Sequence, residues 1–186
     1  MSVLFHEKVS NEDIARVFAE MAAAPRHIFQ VLTKRAERMR RWFEWAAEDG
    51  PPVDGWPLPN VWIGVSVEDQ ETAEERLYRL VRTPAAVRFV SAEPLLAPVD
   101  LTPWLHGIGW VIVGGESGHG ARPFQPSWAA DIVRQCRSHG IPVFVKQLGS
   151  RWARQEGARD SKGGDLRDFP AHLRIREFPT TKGSTP

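Results

Sequence analysis

The sequence is short of several features that would narrow its function at once. It holds a single cysteine, Cys136, among 186 residues. That excludes an internal disulfide and any centre needing several thiolate ligands from this chain. No apolar run approaches the roughly 20 residues that span a bilayer. The opening MSVLFHEKVS is too short and too charged for a secretory signal, so the expected compartment is the cytoplasm. Excess charge is also missing: Lys plus Arg is 24 and Asp plus Glu is 23, a formal net charge of +1. The overall field therefore does not indicate a nucleic-acid partner. The histidines show neither HxH nor HExxH spacing. No Gx[ST]xG elbow occurs, and no GK[ST] follows the glycines, which removes the α/β-hydrolase and P-loop chemistries.

What is present is an ordinary globular balance, 42% hydrophobic and 25% charged residues. Short, nearly continuous apolar runs recur: IFQVL at 28–32, VWIGVSV at 61–67, VRFVSA at 87–92, WVIVGG at 110–115 and PVFVKQL at 142–148. Strands buried on both faces of a parallel sheet read this way. Between them lie helical stripes: Ile14, Val17, Phe18 and Met21 after a cap at Asn11; Met39, Trp42, Phe43 and Ala46; Ala73, Leu77, Leu80 and Val81; and Trp128, Ile132, Val133 and Cys136 before a C-terminal Gly140. The alternation predicts an α/β fold of about five parallel strands with outer helices, a partial (β/α) barrel occupying residues 1–150. Five strands are too few for the eight of a closed barrel. Val3 to Phe5 reads as a remnant of a further strand. Residues 151–186 are polar and Gly-rich and read as a C-terminal tail, partly disordered, in which HLRIREFP at 172–179 docks back.

Each apolar run ends in charged or hydroxyl residues: Thr33 and Lys34; Ser66 and Glu68; Ser91 and Glu93; Gly114, Gly115, Glu116 and Ser117; Lys146 and Gln147. The C-terminal edge of a parallel sheet is where α/β folds build their sites. Lys34, Ser66, Glu68, Glu93 and Lys146 are therefore expected to bind substrate, with Lys34 or Lys146 paired to Glu93 or Glu116. A single strand-end glutamate is more often a cap or an ion-pair partner; the same feature on five strands favours a shared site. VGGESGHGARP at 113–123 is the densest motif. Its glycines allow close backbone approach, and free N–H groups there would cradle an anion. The plainer reading is a tight turn with Arg122 paired to Glu116. Cys136 lies on an apolar helical stripe and reads as core. Among the eight tryptophans, Trp42, Trp62, Trp110 and Trp128 fit packing positions, and Trp45, Trp56, Trp104 and Trp152 fall in or near loops.

These segments resemble one family. LFHEKVSNEDIARVFAEMAAAPRHIFQVLTKRAERM, LPNVWIGVSVEDQETAEERL, TPAAVRFVSAEPLLAPVDL, WVIVGGESGHGARPFQPSWAADIVRQC and PVFVKQLG follow one another as in the phage gp thirty-seven / gp sixty-eight proteins, over about residues 4–150. Members look like radical-SAM proteins, with a cysteine segment for a [4Fe–4S] cluster ahead of a partial barrel. The resemblance implies that Met1 corresponds to an internal methionine of longer relatives, and that the cysteine segment and first barrel units are missing here. It implies a chain without a cluster of its own and inactive alone, with S-adenosylmethionine as the cofactor to consider at Gly114, Gly115, Glu116 and Ser117. Two alternatives stand beside it. One is a non-enzymatic module pairing with a partner chain, or with itself, through an open sheet edge. The other is a cluster-independent enzyme using Lys34, Glu93, Glu116 and Lys146 as acid–base groups.

Overall fold

A computed structural model describes residues 4–49 and 55–180. The chain runs α1 (Asn11–Ala23), β1 (Phe29–Thr33), α2 (Ala36–Glu48), β2 (Val61–Ser66), α3 (Gln70–Leu80), β3 (Val87–Ala92), β4 (Trp110–Gly114), α4 (Pro126–Ser138), β5 (Val143–Gln147) and α5 (Ser150–Glu156), with short 3₁₀ turns at Leu105–Gly107 and Ala171–Leu173. The strands form one five-stranded sheet in the order β1-β2-β3-β4-β5, and every neighbouring pair is parallel. Each unit adds its strand on the same side of the last, with no reversal of order. That is consistent with a partial (β/α) barrel and differs from a doubly wound sheet, in which the order reverses at a switch point.

Strand periodicity divides the sheet into two faces. Val31, Val61, Ile63, Val65, Val90, Val111, Val113, Val143 and Val145 join one large cluster with Ile14, Met39, Trp42, Leu77 and Ile132 of the helices. The alternate residues form a separate small cluster of Trp62, Phe89 and Trp110, with Leu32, Val87, Ile112 and Phe144 against it. The buried apolar helix residues all belong to the first cluster, so the second face is free of them. Burying the β-branched face under helices is the main stabilising term, at about 25 cal/mol per Å² of apolar area.

The helix ends are fixed locally. Ser10, not Asn11, caps α1, its hydroxyl accepting the Asp13 N–H at 3.0 Å. Asn11 instead accepts from Arg38 Nη2 at 2.8 Å, tying α1 to α2. Asp69 and Thr72 make a reciprocal capping box at the start of α3. Gly140 follows α4 at φ +68, the left-handed turn that glycine adopts freely. Cys136 is fully buried in the core, as its stripe predicts.

The tail expectation is corrected over its described part. Residues after Leu148 are folded onto the domain: Trp152 and Ala153 of α5, then Phe169, Leu173 and Ile175, are buried in the main core. Val145 N donates to Ile175 O at 2.9 Å and Glu177 N donates to Val143 O at 2.8 Å, so residues 175–177 line the outer edge of β5 in antiparallel sense. HLRIREFP does dock back. The composition misleads because a few widely spaced apolar anchors hold a segment that is otherwise Gly-rich and charged. Residues 181–186 of the tail lie outside the described residues. Leu4 and Phe5 form a turn and not a strand; Val3 lies outside the described residues, as do 50–54 of the proline-rich connector. Among the described residues no helix is long and apolar enough to cross a membrane.

Candidate functional site

The strand-end residues inherit their direction from the strands. In four of the five strands the residues with the parity of Trp62, Phe89 and Trp110 lead to a polar residue at the C-terminal end, and in β4 they lead to a glycine. Gln30 and Leu32 lead to Lys34; Trp62 and Gly64 to Ser66 and Glu68; Phe89 and Ser91 to Glu93; Trp110 and Ile112 to Gly114; Phe144 to Lys146. In-register pairing sets Gly64 beside Phe89 and Ser66 beside Ser91, and Phe89 beside Trp110. From bottom to top the helix-free face is aromatic, then hydroxyl-bearing, then charged. Gly64 is required here, because a Cβ on it would stand 2.5 Å from the Phe89 ring.

At the rim the charges are paired. Lys146 Nζ lies 3.2 Å from Glu93 Oε1, as one of the expected pairings has it. Lys34, however, pairs with Glu68 rather than with Glu93 or Glu116. Glu68 is the most enclosed carboxylate of the set, its side chain 10% exposed, and Arg76 Nη1 reaches its Oε2 at 2.8 Å. The same nitrogen donates to Ser66 O at 2.8 Å. A buried carboxylate is tolerated when cations compensate it, and two do so here. Gly114 leaves room for Glu93, whose side chain would be 3.2 Å from a Cβ at that position.

In the glycine-rich turn Arg122 is paired to Glu116, the pairing that the plainer reading expects. Arg122 grips Glu116 with Nε at 2.8 Å and Nη2 at 2.7 Å, and its backbone N–H donates at 2.8 Å. This holds the Glu116 carboxyl down at about 2. Gly115 N donates to Gln147 O at 2.9 Å, and a Cβ on Gly115 would stand 2.5 Å from Leu148 O. Gly115 therefore serves the packing of β4 against the chain after β5, and its N–H is already taken. Ser117 is exposed.

Beneath the Glu93–Lys146 pair is a cavity of about 400 Å³. Phe89, Trp110 and Phe144 form its apolar walls, Ser91 lies between, and Glu93 and Lys146 stand over it. The Trp62 indole N–H on this face is buried without a hydrogen-bond partner among the described residues. The volume lies within the roughly 300–1,000 Å³ of small-molecule sites. Among the described residues no group of three or more His, Cys, Asp and Glu is placed to hold a metal ion. The residues do not fit a [4Fe–4S] cluster: its thiolates are lacking, and burial pushes the lone Cys136 thiol up to about 12.

Two participants escape the reading of strand ends. Arg76 lies on α3, one position before buried Leu77. An arginine beside the apolar stripe of a helix that follows a strand-end glutamate is the signal that would have found it. The Phe178 ring, from the docked tail, lies 5.6 Å from that of Trp110, tilted to it, and 5.2 Å from that of Phe144, edge to face, and lines the same cavity. Its approach depends on tail docking, which local pattern does not encode.

A family model described as a protein of unknown function (DUF5131) matches residues 1–175. No curated protein and no solved structure matches the chain.

Proposed function

We propose that the chain, which belongs to the DUF5131 family, is a small-molecule-binding partial (β/α) barrel of the radical-SAM-like kind found among phage gp thirty-seven / gp sixty-eight proteins. On this reading it holds no iron–sulfur cluster through its own residues, and its strand-end residues hold cofactor or substrate. One observation carries the proposal: the Glu93–Lys146 pair stands directly over an aromatic cavity that no helix covers. A flat apolar body would pack against Phe89, Trp110 and Phe144. An amino-acid head would exchange the Glu93–Lys146 pair for its own ammonium on Glu93 and carboxylate on Lys146. S-adenosylmethionine has both parts, and the family resemblance points to it.

Lys34 and Arg76 would hold the Glu68 side chain in place at the neighbouring strand end, and Ser66 and Ser91 would offer hydroxyls between apolar wall and charged rim. The Gly114–Gly115 backbone is scaffold in this reading, and Glu116 orders the turn through Arg122. The test is titration of S-adenosylmethionine into the purified chain by calorimetry, with anaerobic iron and sulfide reconstitution in parallel. Saturable binding, weakened about tenfold by Lys146→Ala as expected for loss of one charge-assisted contact, supports the proposal. So does the absence of a cluster and of deoxyadenosine. Binding unchanged in both Lys146→Ala and Glu93→Gln, or stoichiometric cluster formation, overturns it.

A second reading, a module that pairs with a partner chain or with itself, draws on the sheet edges. Phe29 N donates to Asn60 O beside β2, so by alternation the N–H and C=O groups of Gln30 and Leu32 face away from β2. Among the described residues they have no backbone partner, whereas the edge of β5 is lined by residues 175–177. Sedimentation of the isolated chain decides it: self-association abolished by Gln30→Pro supports this reading, and a monomer at all concentrations removes self-pairing.

A further inference from the structure

A second cavity, of about 570 Å³, lies where α5 and the turn after it face the loop that follows the GGES motif. It is lined by Gly118, His119, Ser150, Arg154, Ser161 and Lys162, with Ala153 and Ala158 as its apolar part. Its charge is one-sided. The Arg154 guanidinium reaches across only to the His119 carbonyl, at 3.4 Å. Among the described residues neither Arg154 nor Lys162 has a carboxylate partner, and no acidic residue lines the cavity. The nearby Asp160 is turned away into its own turn, its Oδ2 accepting the backbone N–H of Lys162 at 3.2 Å and of Gly164 at 2.6 Å.

The hydroxyls are poised in the same sense. Ser150 is 5% exposed, and its Oγ accepts the Gly118 N–H at 3.1 Å. Among the described residues its own proton has no acceptor, which leaves a buried donor on the cavity wall. Two cations without counter-charge, a buried spare O–H donor and a roomy pocket have one complement: a compact group with several acceptor oxygens and negative charge. We infer that this cavity binds the phosphoryl group of a small metabolite, through Arg154, Lys162 and Ser150. It is distinct from the concave-face site and does not depend on it.

The experiment uses the full chain and ¹⁵N-resolved NMR with three probes: inorganic phosphate, adenosine 5′-monophosphate and adenosine. Saturable shifts of the Gly118, His119, Ser150 and Gly157 amides with phosphate or the monophosphate, weakened about tenfold by Arg154→Gln and again by Lys162→Gln, support the inference. Comparable affinity for phosphate and the monophosphate identifies the free anion as the ligand, and a much tighter monophosphate identifies the esterified group. Both residues are exposed, so the variants are expected to fold, and unchanged amide shifts elsewhere check this. Adenosine binding as tightly as its monophosphate, no saturable shift with either phosphate probe, or shifts indifferent to both substitutions overturns it. Glu93→Gln leaves this binding unchanged, which separates a failure here from a failure of the concave-face proposal.

Discussion

The two faces of the sheet are built from the same five strands and differ in almost every chemical respect. One carries valine and isoleucine under the helices and is closed. The other carries Trp62, Phe89 and Trp110, a glycine where a ring needs space, two serines and a rim of paired charges, and it retains a cavity. The contrast teaches that stability and candidate chemistry are separated by strand parity: a single-residue step along any strand moves from core to site.

The comparison is best broken from the closed side first. Leu77→Ala, at 1% exposure on the core-facing side of α3, is expected to cost about 3 kcal/mol in urea unfolding with ligand affinity unchanged. Gly64→Ala comes next. Its new Cβ would meet the Phe89 ring at 2.5 Å, and the ring can yield only into the cavity. A cost of about 2 kcal/mol, together with loss of ligand binding, is expected from one added methyl. A Gly64→Ala protein that binds as wild type would show that the cavity is not the site.

How much of this was legible in the sequence follows the same division. All five strands and the rim residues Lys34, Glu68, Glu93 and Lys146 could be read, because an apolar run and its polar terminus are contiguous. Which charge meets which could be read only in part: the Lys146–Glu93 and Arg122–Glu116 pairs were among the expectations, and the Lys34–Glu68 pair was not. Lys34 takes Glu68 because β1 and β2 are neighbours, and Glu116 is claimed by Arg122 six residues on. Gly115 looked like a ligand cradle because its close approach to Leu148 comes from a distant strand. The segment 151–180 looked like a tail because its anchors, Trp152, Phe169, Leu173 and Ile175, are too widely spaced to give a period.

Smaller effects sharpen the account. Phe178→Ala removes an exposed ring in tilted and edge-to-face contact with Trp110 and Phe144, and should cost under ~1 kcal/mol while altering affinity for the ligand. Glu116→Gln is a test by pH. The Glu116 carboxyl is lowered from 4.5 to about 2 by Arg122, so its stabilising contribution is full above about pH 4.5 and lost as pH falls towards 2. Wild type should lose stability across that window, and the variant should lose less. The difference is expected to be under ~1 kcal/mol, because the pair is partly exposed.

The most direct test of the concave-face site reads the indole N–H resonances while S-adenosylmethionine is added. Trp110 lines the open cavity and Trp42 lies in the closed core, so each serves as the other's control. The account predicts a saturable shift of Trp110 with Trp42 unmoved. Trp110 unmoved at saturating S-adenosylmethionine, or Trp42 shifting as far as Trp110, would contradict it.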